Sequence, residues 1–215
     1  MDLITSEAAR RSALAERVGR LEVRAAMRRP ATAEVAAVRA AADDIDDASF
    51  RWVPHDYYDR SLAERAALLG SPLDSLCKTM LLENTACPHE RCDDPSDSRY
   101  YLVVVQYSAK FNAEALFKEL RGLRSGDAKL PRSRFNLQVA PGDVCARLTG
   151  FAHGAVAPLG GKTRVPVVLA AAAAAVTAPA WLWFGGGDVN LKLGTSVKSF
   201  LSHVRPLVLP VSSVR

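Results

Sequence analysis

The sequence predicts an α+β fold, a mixed α/β domain preceded by an N-terminal helical extension. Three observations carry that reading. From residue 50 onward, short apolar runs alternate with segments of helical spacing, the pattern of strands and helices sharing one core. Residues 1–47 differ from the rest, being rich in Ala, Arg and Glu, with Gly19 as their one glycine and Pro30 as their one proline. A chain of 215 residues, 49% hydrophobic and 24% charged, is long enough to bury a full core and still carry an appendage. The expected division is an extension over 1–47 and a domain over 48–215.

The extension reads as two helices. In the first, Leu14, Val18, Leu21 and Ala25 recur at spacings of four and three, while Arg10, Arg17, Arg20, Arg24 and Arg28 crowd the remainder. Such a stripe needs a surface to lie on. A second helix covers residues 32–42 and runs into Asp43, Asp44, Asp46 and Asp47, an acidic run that reads as a solvated junction. Residues 50–53 then look like a strand. Ser61 with Glu64 three residues later makes a capping box, and Gly70 after Leu69 stops the helix it opens.

Ser71-Pro72 begins a tight turn into a strand over 77–83, and the β-branched and aromatic run 100–107 supplies another; both are expected at the centre of a sheet. Between them lies a polar loop over 84–99, longer than most connections in compact domains and so expected to be mobile or functional. Asn112 is placed to cap a helix that Gly122 and Gly126 break. After residues 135–139, strand and turn signals dominate to the end, a helix over 196–204 excepted.

Composition narrows the function classes. A net charge of +5 and a pI near 9.2 suit a polyanionic partner. Cys77, Cys87, Cys92 and Cys145 follow no apolar signal segment, which points to reduced thiols. The long apolar run 165–184 is interrupted by Pro166 and Pro179 and built largely of alanine, so it reads as strand, helix and strand, not as a membrane span. Asp2, Glu7, Glu16 and Glu22 interrupt the Arg-rich start, unlike a transit peptide. The expected location is the cytoplasm.

Two stretches carry the chemistry. In the first, Lys78 enters an apolar strand and shares a face with Met80 and Leu82, so its ammonium must snorkel or meet an anion. An edge-strand lysine that blocks aggregation would look the same. The second runs from Thr149 through Gly154 and Pro158 to Gly161. Gly154 among small residues can present bare backbone N–H groups to a ligand oxygen, because no Cβ blocks the approach. Its spacing fits neither a dinucleotide fingerprint nor a Walker loop; a pair of tight turns is the plainer reading.

Together these stretches resemble the YbaK/ProX family of aminoacyl-tRNA deacylases, which includes the editing domain of bacterial prolyl-tRNA synthetases and its free-standing relatives. The matching features are Lys78-Thr79 at the start of an apolar strand, the loop from Thr149 to Gly160, the strand beginning Arg164-Val165-Pro166, and the Gly185-Gly186-Gly187 turn leading to Asn190-Leu191-Lys192-Leu193. The resemblance covers residues 50–205 and implies a partly open mixed β-barrel flanked by helices, with a pocket for the aminoacylated terminal adenosine. It gives Lys78 the role of the family's essential lysine at the tRNA end and Gly154 that of the glycine whose backbone positions the scissile ester. Thr79, Thr149, His153, Ala155, Pro158, Gly185, Gly186 and Asn190 become substrate-binding positions. The glycine turn is shorter here than in the bacterial form, and a serine common in that turn is glycine here.

The implied activity is a trans-editing hydrolase that deacylates mischarged tRNA. An activated ester needs only a placed water, orientation and oxyanion stabilisation, so no cofactor and no triad are called for. The N-terminal helices would contact tRNA, a synthetase or a synthetase complex, or pack on the domain itself. A non-catalytic tRNA-binding or synthetase-associated subunit is the alternative, and a hydrolase of free amino-acid esters a more distant one. Cys87, His89 and Cys92 offer three zinc ligands within six residues, to which Cys77 or His55 could add. Their spacing matches no common ligand pair such as C-x2-C, and no metal is expected. Trp52, Trp181 and Trp183 read as core aromatics on strands, and Cys145 as a small buried residue.

Overall fold

A computed structural model describes residues 2–27 and 30–214. In chain order it contains α1 (Asp2–Met27), α2 (Ala33–Ala41), β1 (Ser49–Trp52), α3 (Leu62–Leu69), β2 (Cys77–Asn84), β3 (Tyr100–Gln106), β4 (Ala109–Phe111), α4 (Ala113–Gly122), β5 (Leu137–Val139), α5 (Gly142–Thr149), β6 (Val167–Ala170), α6 (Ala171–Ala174), β7 (Trp181–Gly185), β8 (Leu191–Ser196), α7 (Val197–Val204), β9 (Leu207–Leu209) and β10 (Ser212–Val214).

The β-branched and aromatic run of β3 is buried at every position, as a strand covered on both faces should be. It pairs antiparallel with β2, with Lys78 opposite Val105 and Thr79 opposite Val104, and parallel with β6. The sheet order is β5-β2-β3-β6-β9. A second, antiparallel sheet has the order β1-β8-β7, and β10 pairs with β4. An isolated bridge between Leu76 and Trp183 joins the first two sheets where β2 begins. The five-stranded sheet is mixed, and the sheets do not close, giving the partly open barrel expected.

Local signals set most boundaries. The Ser61 side chain accepts from the Glu64 N–H, the Glu64 carboxylate accepts from the Ser61 N–H, and Gly70 adopts φ +59° at the end of α3. Asn112 Oδ1 accepts from Ala115 N at 3.0 Å at the start of α4. Helix α2, capped by Thr32, sends Val38 into the main core, followed by Ala42 and Ile45.

Three expectations change. No helix is expected over residues 140–150, where strand and turn signals dominate, yet α5 forms there: Pro141 and Asp143 begin it, Val144, Cys145 and Leu148 face a small apolar cluster, and Gly150 ends it. The stripe of α1 does not lie on a surface. Leu14, Val18 and Leu21 are 62%, 45% and 56% exposed, and Ala25 is exposed as well. The helix instead packs through Gly19, where a Cβ would meet the Pro54 ring at 3.2 Å, and through buried Ala26. Glycine permits the close approach, which the period of the larger side chains does not reveal. Arg10, Arg17, Arg20 and Arg24 are exposed; Arg28 lies outside the described residues.

The third change is Asp47, which is no part of a solvated run. Its carboxylate accepts from Thr195 Oγ1 (2.6 Å), Ser199 Oγ (2.9 Å) and Ser196 N (3.3 Å), tying the approach to β1 onto the start of α7. Burial pushes its pKa up, but the hydrogen bonds from Ser196, Thr195 and Ser199 outweigh that and leave it below the usual value. A depressed folded-state pKa contributes stability above the unfolded value, and that stability is lost as pH falls through the folded one. Asp47→Ala is therefore expected to cost about 1.5–3 kcal/mol at neutral pH. In urea titrations the gap to the unmodified protein should close in strong acid; a gap independent of pH would contradict this role for the carboxylate.

Candidate active site

The loop that follows α5 is built from its helix stop. Thr149 Oγ1 donates to Cys145 O (2.6 Å) and accepts from Phe151 N (3.1 Å), Gly150 turns left-handed at φ +82°, and Phe151 is buried. The chain then turns back at Gly154, whose φ of +80° favours glycine. Ala155 donates to Ala152 O (3.0 Å), and the buried Ala155, Ala157 and Pro158 seat the rest of the loop.

Against this loop lies the turn between β7 and β8. Gly187 N donates to Ala155 O (3.1 Å), and a Cβ on Gly185 would stand 2.4 Å from Val156 O, so only glycine allows the two backbones to meet. The turn is internally bonded: Gly186 N donates to Leu191 O (2.9 Å), and Asn190 N to Asp188 Oδ1 (2.8 Å). The Asn190 side chain lies 2.6 Å from His55 Nδ1.

Beneath the loop sits a cation. Lys192 on β8 is 3% exposed, and its Nζ donates to Tyr58 Oη (3.1 Å) and Val189 O (2.7 Å). The Tyr58 hydroxyl in turn donates to Gly154 O at 2.7 Å. The ammonium lies 4.8 and 4.5 Å from the ring centres of Tyr57 and Tyr58, within cation–π range. Burial pulls its pKa down to about 7; Asp188 draws it back up and Arg65 presses it further down. Arg65 itself lies over the rings of Tyr57, Tyr58 and Tyr107 and donates to the backbone oxygens of Tyr58 and Arg60. Burial, followed by Tyr107, pushes the Tyr58 hydroxyl well above the ordinary tyrosine range, so it remains a donor. A small pocket of about 10 Å³, room for roughly one water, opens among Tyr57, Tyr58, Tyr107, Cys77, Gly185 and Lys192.

The structure thus gathers Gly154, Ala155, Gly185, Gly186 and Asn190 at one place. Thr149 and Pro158 shape the loop from within. His153 is exposed at the loop's tip. Lys78 is half-buried on β2, next in sequence to the pocket residue Cys77, and by strand alternation stands on the opposite face from it. Thr79 shares the Cys77 face, and its buried hydroxyl has no hydrogen-bond partner among the described residues.

Sequence reasoning assigned no role to Tyr58, Arg65 or Lys192. The signal for Lys192 was present, a lysine between two leucines in a strand, and it is the same signal that singled out Lys78. On the far side of the loop, an open groove of about 930 Å³ is lined in part by Lys162, Arg164, His203 and Arg205 and also by Glu90 and Asp93, positions scattered too widely in sequence to be read together there.

Residues 59–201 match the family model described as the aminoacyl-tRNA editing domain. No curated protein matches the chain. Among solved structures, a candidate trans-editing enzyme for prolyl tRNA synthetase is similar with a TM-score of 0.65 at 17% identity, covering 86% of this chain and 99% of that one. A structure from the grafting of epitope backbones onto scaffold proteins by computational design gives 0.64 at 17%, with 86% and 100% covered. A protein described as hypothetical gives 0.52 at 23%, with 71% and 84% covered. At these identities the structural neighbours show the fold.

The depressed pKa of Lys192 has a thermodynamic sign. Between about pH 7 and the unfolded value near 10.4, the unfolded chain holds a proton that the folded one has released, so stability rises with pH across that window. Below it, both states are charged and the fold carries a buried ammonium. Lys192→Met is expected to abolish this rise and to narrow the difference between unfolding free energies measured near pH 6 and pH 9. Identical pH slopes in the two proteins would count against a buried, titrating Lys192.

Proposed function

Because the chain belongs to the aminoacyl-tRNA editing domain family, we propose that it is a trans-editing hydrolase that removes a wrongly attached amino acid from tRNA. The observation that carries the reading is the seating of the Gly154 loop within the family's matched region: the Gly154 carbonyl accepts from Tyr58, the next N–H donates to Ala152 O, and the Gly185–Asn190 turn closes against the loop. A peptide fixed at both ends is a preorganised surface for an ester, and preorganisation is what an already activated substrate requires.

In this proposal water attacks the ester carbonyl, the bond to the ribose oxygen of the terminal adenosine breaks, and the amino acid and a free hydroxyl leave. Gly154 lets the ester approach the backbone, and Lys78 engages the tRNA end. Thr79, Asn190 and the glycines of the turn shape the space for the amino acid. Lys192 and Tyr58 hold the loop from below. In the open groove, the cations of Lys162, Arg164 and Arg205 suit the phosphates of the acceptor stem. The proposal places the protein in the cytoplasm, where tRNAs are charged; no helix among the described residues is long and apolar enough to cross a membrane.

A panel of mischarged tRNAs, each incubated with the protein and scored for loss of the ester, tests the activity. At least one member should be deacylated. Lys78→Ala should lower that rate at least about tenfold, the worth of one charge-assisted contact of about 1.5–3 kcal/mol. Gly154→Val should abolish it, since valine is strained at a φ of +80° and its side chain would press on Tyr58 and Val189, which seat the loop. Folded variants of normal activity would remove these roles, while tRNA binding without ester loss on any member would favour a non-catalytic subunit.

A further inference from the structure

The loop between β2 and β3 is rigidly tied at its base, at the opposite end of β2 from Cys77 and so about 20 Å from the editing pocket along the strand. Asn84 is 1% exposed; its Nδ2 donates to Arg134 O (2.8 Å), its Oδ1 accepts from Asn136 N (2.8 Å), and its carbonyl accepts from Cys87 N (3.0 Å). Arg99 Nη1 donates to Cys87 O at 2.8 Å, and the buried Ser98 donates its N–H to Tyr101 Oη (3.0 Å). These bonds fix the backbone on both sides of three side chains that converge.

Cys87 Sγ lies 3.6 Å from His89 Nε2 and 4.0 Å from Asp97 Oδ1, and His89 Nε2 lies 3.4 Å from Asp97 Oδ2. The three ligand atoms fall within 4.8 Å of one another. A tetrahedral zinc ion, with bonds of about 2.3 Å to sulfur and about 2.0–2.1 Å to nitrogen and oxygen, holds its ligand atoms about 3.3–3.6 Å apart. The Sγ–Nε2 and Nε2–Oδ2 separations of 3.6 and 3.4 Å fall in that range, while the thiol approaches the carboxylate through its other oxygen, Oδ1, at 4.0 Å. We propose that Cys87, His89 and Asp97 form a binding site for a zinc-class divalent cation that pins the β2–β3 loop.

The donor set fits that class of ion. A thiolate and an imidazole select a borderline-soft metal over magnesium or calcium, and the carboxylate completes three ligands with a fourth position left for water. Thiolate and carboxylate together balance the charge of the ion. Arg134 Nη2, 3.2 and 3.1 Å from the two Asp97 oxygens, then acts as the outer partner that orients a ligating carboxylate. Cys92 does not join the group; its thiol is directed to Glu90 O at 3.6 Å.

The test uses the full-length protein, stripped with a chelator and titrated with Co²⁺ alone. Expected are one equivalent bound, a thiolate-to-cobalt charge-transfer band and the intense visible bands of a tetrahedral ion, with Zn²⁺ displacing the cobalt. Cys87→Ser should abolish the charge-transfer band, and His89→Gln and Asp97→Asn should each weaken binding at least about tenfold. Cys92→Ser and Cys145→Ser should leave the spectrum unchanged. No thiolate band in the unmodified protein, or a band that survives Cys87→Ser, overturns the site and leaves only a polar contact between His89 and Asp97. Should Cys87→Ser fail to fold, the unmodified spectrum and His89→Gln decide. The readout is independent of deacylation, so its failure and that of the editing activity are distinguishable.

Discussion

The contact between Gly185 and Val156 O is the constraint around which the site is organised. A Cβ at residue 185 would stand 2.4 Å from that oxygen, a distance no side chain tolerates. Because it is absent, the end of β7 comes flush against the Gly154 loop, Gly187 bonds to Ala155, and the turn that follows can bring Asn190 to His55 and start β8. A similar contact recurs at Gly160, where a Cβ would meet the backbone of Val38 at 2.7 Å and helix α2 is thereby seated on the same loop. Close packing of backbone on backbone leaves little freedom, and the loop inherits its shape from its neighbours.

Lys192 gives the underside of that loop an electrostatic character. Removing an ammonium from water is expensive, and here its compensation comes from a phenol, a carbonyl and two aromatic faces, with no paired carboxylate within hydrogen-bonding distance among the described residues. The balance leaves the group near its titration point at neutral pH. Arg65, stacked on the same tyrosines, adds positive charge that works against protonation. Such an arrangement costs stability, and costs of that kind collect where the geometry is put to use.

Much of the fold was legible because its signals are local. The Ser61–Glu64 box, the Asn112 cap, the β-branched run of β3 and the strand–helix–strand reading of residues 165–184 depend on neighbours in sequence. What escaped was long-range or small. Helix α5 is short and lacks a side-chain cap at Pro141; Asp47 acquires its role only when Thr195, Ser196 and Ser199 arrive; α1 packs by a glycine and an alanine, which carry little weight in an apolar pattern. The site divides the same way. Gly154 and Gly185 stood out as glycines in unusual runs, whereas Tyr58 becomes a partner of Gly154, and Lys192 of Tyr58, only after separations of 96 and 134 residues are folded away. Asp97 likewise lies outside the short run of cysteines and histidine in which a metal set was sought.

The second sheet carries a consequence for biosynthesis. Its central strand, β8, pairs on one side with β1, so that Phe50 faces Leu193 across about two thirds of the chain, and Asp47 waits for Thr195 in the same way, 148 residues on. A ribosome emits the N-terminal partner long before the C-terminal one. During that interval β1 has an open edge and the buried faces of α2 have no cover, because the strands and the loop that receive them are still unmade. Pairing across such a separation is entropically slow, and unpaired edges invite association with other nascent chains. The molecule should therefore acquire its shape late and all together, and a chaperone that shields apolar segments during elongation would raise the yield of folded protein more than one that acts after release.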